Sequence, residues 1–246
     1  MKSFERFAAL PLLVAGAVLF YAGRELPRVG SPDSPASLHV SPRYIENAYR
    51  ETGAPNMVTA VLADYRSYDT LGETVVIFTA GLACLLVLGA FRVRGEEAAP
   101  RDQMDYSFGS DVLDATSRIL IPFLVLFAVY VVVHGHTSPG GGFQGGTILA
   151  AALILLRLVR GSAEGVGISL KGMLVIASAG VGLYASIGLV SLVFGRNFLD
   201  YAGLPIPYEG GHLRELGSLG IEVGVFLGVT AVLVLIFDAL TTGAEE

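Results

Sequence analysis

Three groups of residues in this chain could do chemistry, and each lies beside or inside an apolar run. The first is the stretch Leu62 to Glu73, LADYRSYDTLGE. It holds three carboxylates, Asp64, Asp69 and Glu73, with Arg66 and two tyrosines among them. Asp69 and Glu73 are four apart, so on a helix they share a face with Cβ atoms about 6 Å apart. Such a pair can hold a cation or shuttle protons. A plainer role fits the same spacing: Asp69 or Thr70 caps a helix and Glu73 completes the box at its positive end. The two roles are compatible.

The second group is His134 to Gly146, HGHTSPGGGFQGG. From Pro139 to Gly146 it has five glycines (Gly140, Gly141, Gly142, Gly145 and Gly146) with Phe143 and Gln144 between them. That composition cannot continue a helix. In lipid, non-helical backbone survives only where protein or water satisfies it. The loop is therefore expected to be buried in the subunit or at a partner interface, or to line a hydrated cavity. No Gly-Lys-Ser/Thr follows it, so it is not a Walker loop. His134 and His136 are two apart, the wrong spacing for two ligands on one helix face, and no metal site is expected. A proton relay through histidine, which titrates near neutral pH, and a purely structural re-entrant turn both remain open.

The third is Glu222, in Gly220-Ile-Glu-Val-Gly224. A carboxylate inside an apolar helix needs a partner, water or its proton. Gly217, Gly220, Gly224 and Gly228 recur at three- and four-residue spacing and suit tight helix contact. Glu222 could instead sit shallow in the membrane interface. Arg157, Arg160 and Asp238 read as boundary anchors, and His39 and His212 fall in loops. Cys84, the one cysteine, allows neither an intrachain disulfide nor a cysteine metal site.

The elements that position these residues are membrane helices. Hydrophobic residues make up 53% of the chain and charged ones 15%, against about 25% charged in ordinary globular proteins. The mean hydropathy is +0.63. Six stretches are apolar enough to span a bilayer: Phe7 to Gly23, Thr74 to Phe91, Ile119 to Val133, Phe143 to Leu156, Gly172 to Gly195 and Leu216 to Phe237. The first has Lys2 and Arg6 ahead of it and resembles a signal peptide, but is taken as an anchor helix. The fold expected is an all-α integral membrane protein of about six transmembrane helices, two plus four, with the glycine loop between the third and fourth.

The division falls as residues 1–94, a polar linker at 95–105, and residues 106–246. Gly30 to Pro42, with three prolines and four serines, is expected to be extended. Ser41 is a candidate cap for a following helix. Asn56 to Leu62 has helical apolar spacing and is expected at the membrane surface. Arg and Lys residues flank the spans most closely on the side holding both termini, which places N- and C-termini in the cytoplasm of a cell inner membrane. The net charge of −6 without a basic cluster excludes nucleic-acid binding. The two modules do not repeat, so an inverted-repeat transporter is not expected.

Val129 to Leu149, VYVVVHGHTSPGGGFQGGTIL, resembles the signature of the B subunit of Mrp-type Na⁺/H⁺ antiporters and its counterpart in membrane-bound hydrogenases. With Pro122 and Leu219 to Gly224 the resemblance spans about Asp111 to Ala239. Asn56 to Phe78 is similar to the hydrogenase E subunit and to the C-terminal part of the large Mrp A subunit. The resemblance implies one subunit of a membrane arm coupling Na⁺ and proton movement, sometimes to a redox enzyme. It implies other membrane subunits, lipids, Na⁺ and H⁺ as partners. The sequence has no cluster cysteines, haem motif or nucleotide loop, and lacks the helical bundle with a broken-helix lysine of antiporter-like subunits. The expected role is thus accessory or coupling, without a cofactor and not catalytic by itself. Asp69, Glu73, His134, His136 and Glu222 are the ion-path candidates, and Pro139, Gly140, Gly141, Gly142, Gln144, Gly145 and Gly146 form the structural loop. The competing reading is a scaffold subunit with no ion path of its own.

Overall fold

The computed structural model describes residues 2–88, 111–164, 168–208 and 210–243, in two compact units, Met1–Glu46 and Asn47–Glu246. The expected linker at 95–105 lies outside the described residues.

In the first unit, α1 runs Lys2–Gly23 and carries Pro11. A wide π-type turn, Ala36–Val40, follows Pro35 and leads directly into α2, Ser41–Thr52. The serine- and proline-rich stretch is therefore helical from residue 36, not extended. Pro35 has helical φ and ψ, and a proline near a helix start loses no hydrogen bond. Ser34 takes the capping role that Ser41 was expected to fill: its Oγ accepts the Ser37 N–H at 3.2 Å. Ser41 itself is helical, with φ −61° and ψ −45°.

In the second unit, the end of α2 buries Ala48 and Thr52. Gly53, at φ +78°, turns the chain; a Cβ there would lie 2.6 Å from the Gly211 carbonyl oxygen. Asn56 then caps a single turn, α3, Met57–Thr59, by accepting the Val58 N–H at 3.1 Å. A second π-type turn, Ala60–Tyr65, continues it. Thr59, Ala60, Ala63 and Asp64 are buried. The small and polar residues of this stretch dock on protein, while Met57, Val58 and Leu62 stay exposed.

Among the described residues five helices are long and apolar enough to cross a membrane: α4 Ser67–Val87, α5 Asp111–Val133, α6 Gly142–Glu164 (apolar to Val159), α7 Leu170–Val193 and α8 Gly211–Gly243 (apolar to Thr241). Leu10–Gly23 is a shorter apolar helix. The chain is an all-α, multi-pass membrane protein of about six spans, and no strand occurs among the described residues. Several helices start earlier than hydropathy suggested. Polar residues in a first turn lower mean hydropathy without breaking a helix, so Asp69 and Glu73 lie inside α4 rather than ahead of it.

Helix α8 is the axis of this unit. Over half of its apolar window is buried, 56%, against 22% for α4 and α5. Helices α4, α6 and α7 pack on it, and α5 packs mainly on α6. Lipid tails are as apolar as leucine, so small residues and polar contacts must select these neighbours. A Cβ on Gly180 of α7 would lie 2.5 Å from the Gly224 oxygen of α8, so the two backbones touch. Tyr184 of α7 donates to the Ser67 carbonyl at 2.7 Å, fixing the start of α4. Arg157 and Asp238 form a mostly buried ion pair between α6 and α8, more than the boundary anchoring expected of them.

Candidate functional site

The glycine loop is built into the protein from three sides. At its start, α5 ends on Tyr130 and Val133, whose carbonyls lie 3.1 and 3.0 Å from Nδ1 of His134 and His136. The loop then folds back, and the Gly141 N–H donates to the Val131 carbonyl at 3.1 Å. A Cβ on Gly140 would lie 2.5 Å from that same oxygen. Gly141 takes φ +129°, a region that disfavours side chains.

The second side is Glu222. The N–H of Gly142, first residue of α6, donates to its Oε2. A carboxylate from α8 thus meets the positive end of α6, where backbone N–H groups lack helical partners. Cβ atoms on Gly141 and Gly142 would lie 3.0 and 2.9 Å from Oε2, so both positions must be glycine for this approach. Further along, Thr230 of α8 donates to the Gly146 carbonyl at 3.1 Å. Gly142, Gln144, Gly145 and Gly146, expected in the loop, instead open α6, so the non-helical stretch ends at Gly141; Gly145 and Gly146 are buried there, while Gln144 and, in the loop, Pro139 are exposed.

The third side is the segment around Asn56. Its Nδ2 donates to the carbonyls of Gly135 and Ser138 at 2.9 and 2.8 Å. Its backbone N–H donates to the His136 carbonyl at 3.0 Å. Thr59 adds a hydroxyl donated to Gly135 at 2.5 Å.

This framework brings His136 to Glu215, with Nε2 2.9 Å from Oε1. Nδ1 of His136 faces a carbonyl, which only accepts, so Nδ1 carries a proton. The Nε2 edge of the ring is thus the one turned to the Glu215 carboxyl. His212 lies in the first turn of α8, not in a loop, with Nδ1 3.5 Å from Glu215 Oε2. Glu215 and Glu222 are seven residues apart, two turns and about 10 Å along one face of α8.

A second polar cluster was only half visible in the sequence. Arg214 forks onto Asp64, with Nε 2.8 Å from Oδ2 and Nη2 on Oδ1, and reaches Asp200 Oδ1 at 3.1 Å. Burial pushes the Asp64 carboxyl above its ordinary range, and the guanidinium fork opposes that shift. Tyr201 donates to the Ala63 carbonyl at 2.6 Å. Burial pushes its phenol upward too, so it stays protonated as the donor.

The remaining candidates lie apart from this junction. Asp69 pairs with Arg66 on the exposed side of α4, and Glu73 is exposed on the same helix. His134 points outward and stacks on Tyr130, ring centroids 4.1 Å apart. The sequence reading paired neither Glu222 with the loop nor His136 with Glu215, and it passed over Asn56, Thr59, Arg214 and Asp200. The available signals were an Asn placed to cap a short turn and the Arg214-Glu215 pair at the foot of the last apolar run. Among the described residues no three His, Cys, Asp or Glu side chains converge as a metal site.

Two family models match the chain. The domain related to the MnhB subunit of Na⁺/H⁺ antiporters matches residues 112–235, and the E subunit of MBH matches residues 32–104. The A/B subunit of a probable K⁺/H⁺ antiporter from Rhizobium meliloti (strain 1021) is 30% identical over 80% of this chain, which spans only 22% of that protein. In the Mrp complex of Dietzia sp. DQ12-45-1b, one chain aligns with 98% of this chain at 29% identity and TM-score 0.65; 26% of that chain is covered. In the membrane-bound sulfane sulfur reductase, an archaeal respiratory membrane complex, a chain is 31% identical with TM-score 0.65, covering 95% of this chain and 96% of that one. The two resemblances seen in the sequence are thereby borne out. The chain belongs to the family of domains related to the MnhB subunit of Na⁺/H⁺ antiporters, with a segment matching the MBH E subunit ahead of that domain.

Proposed function

We propose that this chain is an accessory or coupling membrane subunit of a multi-subunit cation/proton antiporter, or of the Mrp-like membrane arm of a redox-driven complex, and that it contributes to ion translocation. The observation that carries this reading is the row of titratable groups on α8. Glu222 accepts the Gly142 N–H at the start of α6, and Glu215 lies 2.9 Å from His136 two turns away. Charged groups are costly in a bilayer and tend to mark ion or proton pathways where they persist. Asp69 and Glu73, exposed on a membrane-spanning helix, are where a neighbouring subunit would continue the path, and His134 lies at its outer mouth.

Na⁺, or K⁺ as in the relative's description, and H⁺ are the transported ions in this reading. The partners are other membrane subunits and lipid. The modules divide at 1–94, 95–105 and 106–246. The complex sits in the inner membrane with both termini cytoplasmic, because Lys and Arg crowd the span ends on that side. The scaffold reading has one observation in its favour: Glu222 holds the Gly142 N–H, a structural task in itself. Gentle detergent extraction of the native membrane, followed by mass identification, tests membership of such a complex. The protein is expected in a large assembly with antiporter-like proteins; a lone chain that itself transports cations contradicts the proposal.

A further inference from the structure

The His-bearing end of the glycine loop is not held by the MnhB-related domain alone. The segment that matches the MBH E subunit reaches across and binds it. We infer that Asn56, assisted by Thr59, is a positioning residue that fixes the His136–Glu215 contact, so that the E-like segment sets the geometry of that pair. The functional part rests on the transport reading above.

The geometry is specific. Residues 134–138 form a tight turn in which the His134 carbonyl accepts from Thr137 and Ser138 N–H groups at 3.0 and 2.9 Å. That turn leaves the carbonyls of Gly135, His136 and Ser138 for outside donors. Asn56 supplies one donor to each of the three, two from its amide and one from its backbone, and Thr59 supplies a second to Gly135. The carbonyls bracket His136 in sequence, so fixing them fixes where its ring points. Nδ1 is held by the Val133 carbonyl at 3.0 Å, and the opposite edge of the ring places Nε2 2.9 Å from Glu215. A buried carbonyl left without a donor is costly, so without Asn56 the turn must rearrange. Asn suits the task because one side chain both accepts, capping Val58, and donates twice.

The cap and the clamp can be separated. Asn56→Ser keeps a good helix cap but cannot reach two loop carbonyls. In the purified complex, hydrogen exchange of backbone amides over residues 134–142 should then rise by about tenfold or more, with α8 unchanged. Unchanged exchange in that segment overturns the clamp. A mutant cycle reads the functional part as cation-driven proton movement in vesicles at matched complex levels. Asn56→Ser should lower transport in the native background and have no further effect in a His136→Ala background. Equal losses in both backgrounds overturn positioning through His136. If His136→Ala leaves transport untouched, the transport role of the histidine fails, and the exchange result decides the clamp separately.

Discussion

At the scale of single residues, the glycine loop is a case where sequence specifies a constraint without naming the partner that imposes it. Five glycines beside a proline announce close backbone approach, and Gly141 supplies it at φ +129°, where a Cβ would crowd the Glu222 carboxylate at 3.0 Å. Gly141→Val should therefore sharply reduce recovered complex after extraction, whatever the ion path; native yield and activity would make the loop a loose turn. Glu222 separates structure from transport. Glu222→Gln retains an oxygen for the Gly142 N–H and should assemble normally. Glu222→Ala leaves that N–H unsatisfied, a cost of roughly 1–3 kcal/mol, and should lower the thermal stability of the complex. The partner was not legible because Gly142 and Glu222 are eighty residues apart, and nothing local to either announces the other. Asn56 was read as the opening of an apolar stretch and of the E-like segment, and neither reading reveals a cap that is also a clamp on a loop 79 to 82 residues away.

At the scale of elements, hydropathy located the spans but misplaced several starts. In α4 the hydroxyls of Thr70 and Thr74 return to the carbonyls of Leu62 and Thr70, at 2.8 and 2.7 Å, so polar residues near its start cost little. Ser41 failed as a cap because the helix had begun after Pro35, where proline's fixed φ suits a first turn. The glycines of α8 were legible as a packing face, and Gly224 on Gly180 meets that expectation. The Asp64–Arg214 fork was not, because Arg214 reads as one more loop arginine until the chain is folded. It joins the turn before α4 to the foot of α8. Arg214→Leu strands a buried carboxylate, at a cost of roughly 3–5 kcal/mol, and should deplete folded protein in detergent. Replacing Asp64 by leucine in the same chain should restore much of the loss. If the double variant is no better than the single one, the fork is not what makes Arg214 necessary.

At the scale of the whole molecule, class and family were readable from composition and from two motifs, whereas orientation rests on the charge pattern alone. With Cys84 replaced by alanine, cysteines at Ser34 and Thr137 should both react with a membrane-impermeant thiol reagent in intact cells. Labelling only after permeabilisation would reverse the orientation. The central claim is that embedded acids of this protein take part in ion movement rather than only in assembly. Its most direct test is cation-dependent proton movement in vesicles carrying Glu73→Gln or Glu222→Gln, compared at equal amounts of assembled complex. Glu→Gln preserves shape and removes ionisation, so a conducting carboxylate loses transport while assembly persists, and Glu→Asp keeps part of the activity. The account predicts that outcome for both positions; transport at the native rate in both Gln variants would contradict it and leave a scaffold.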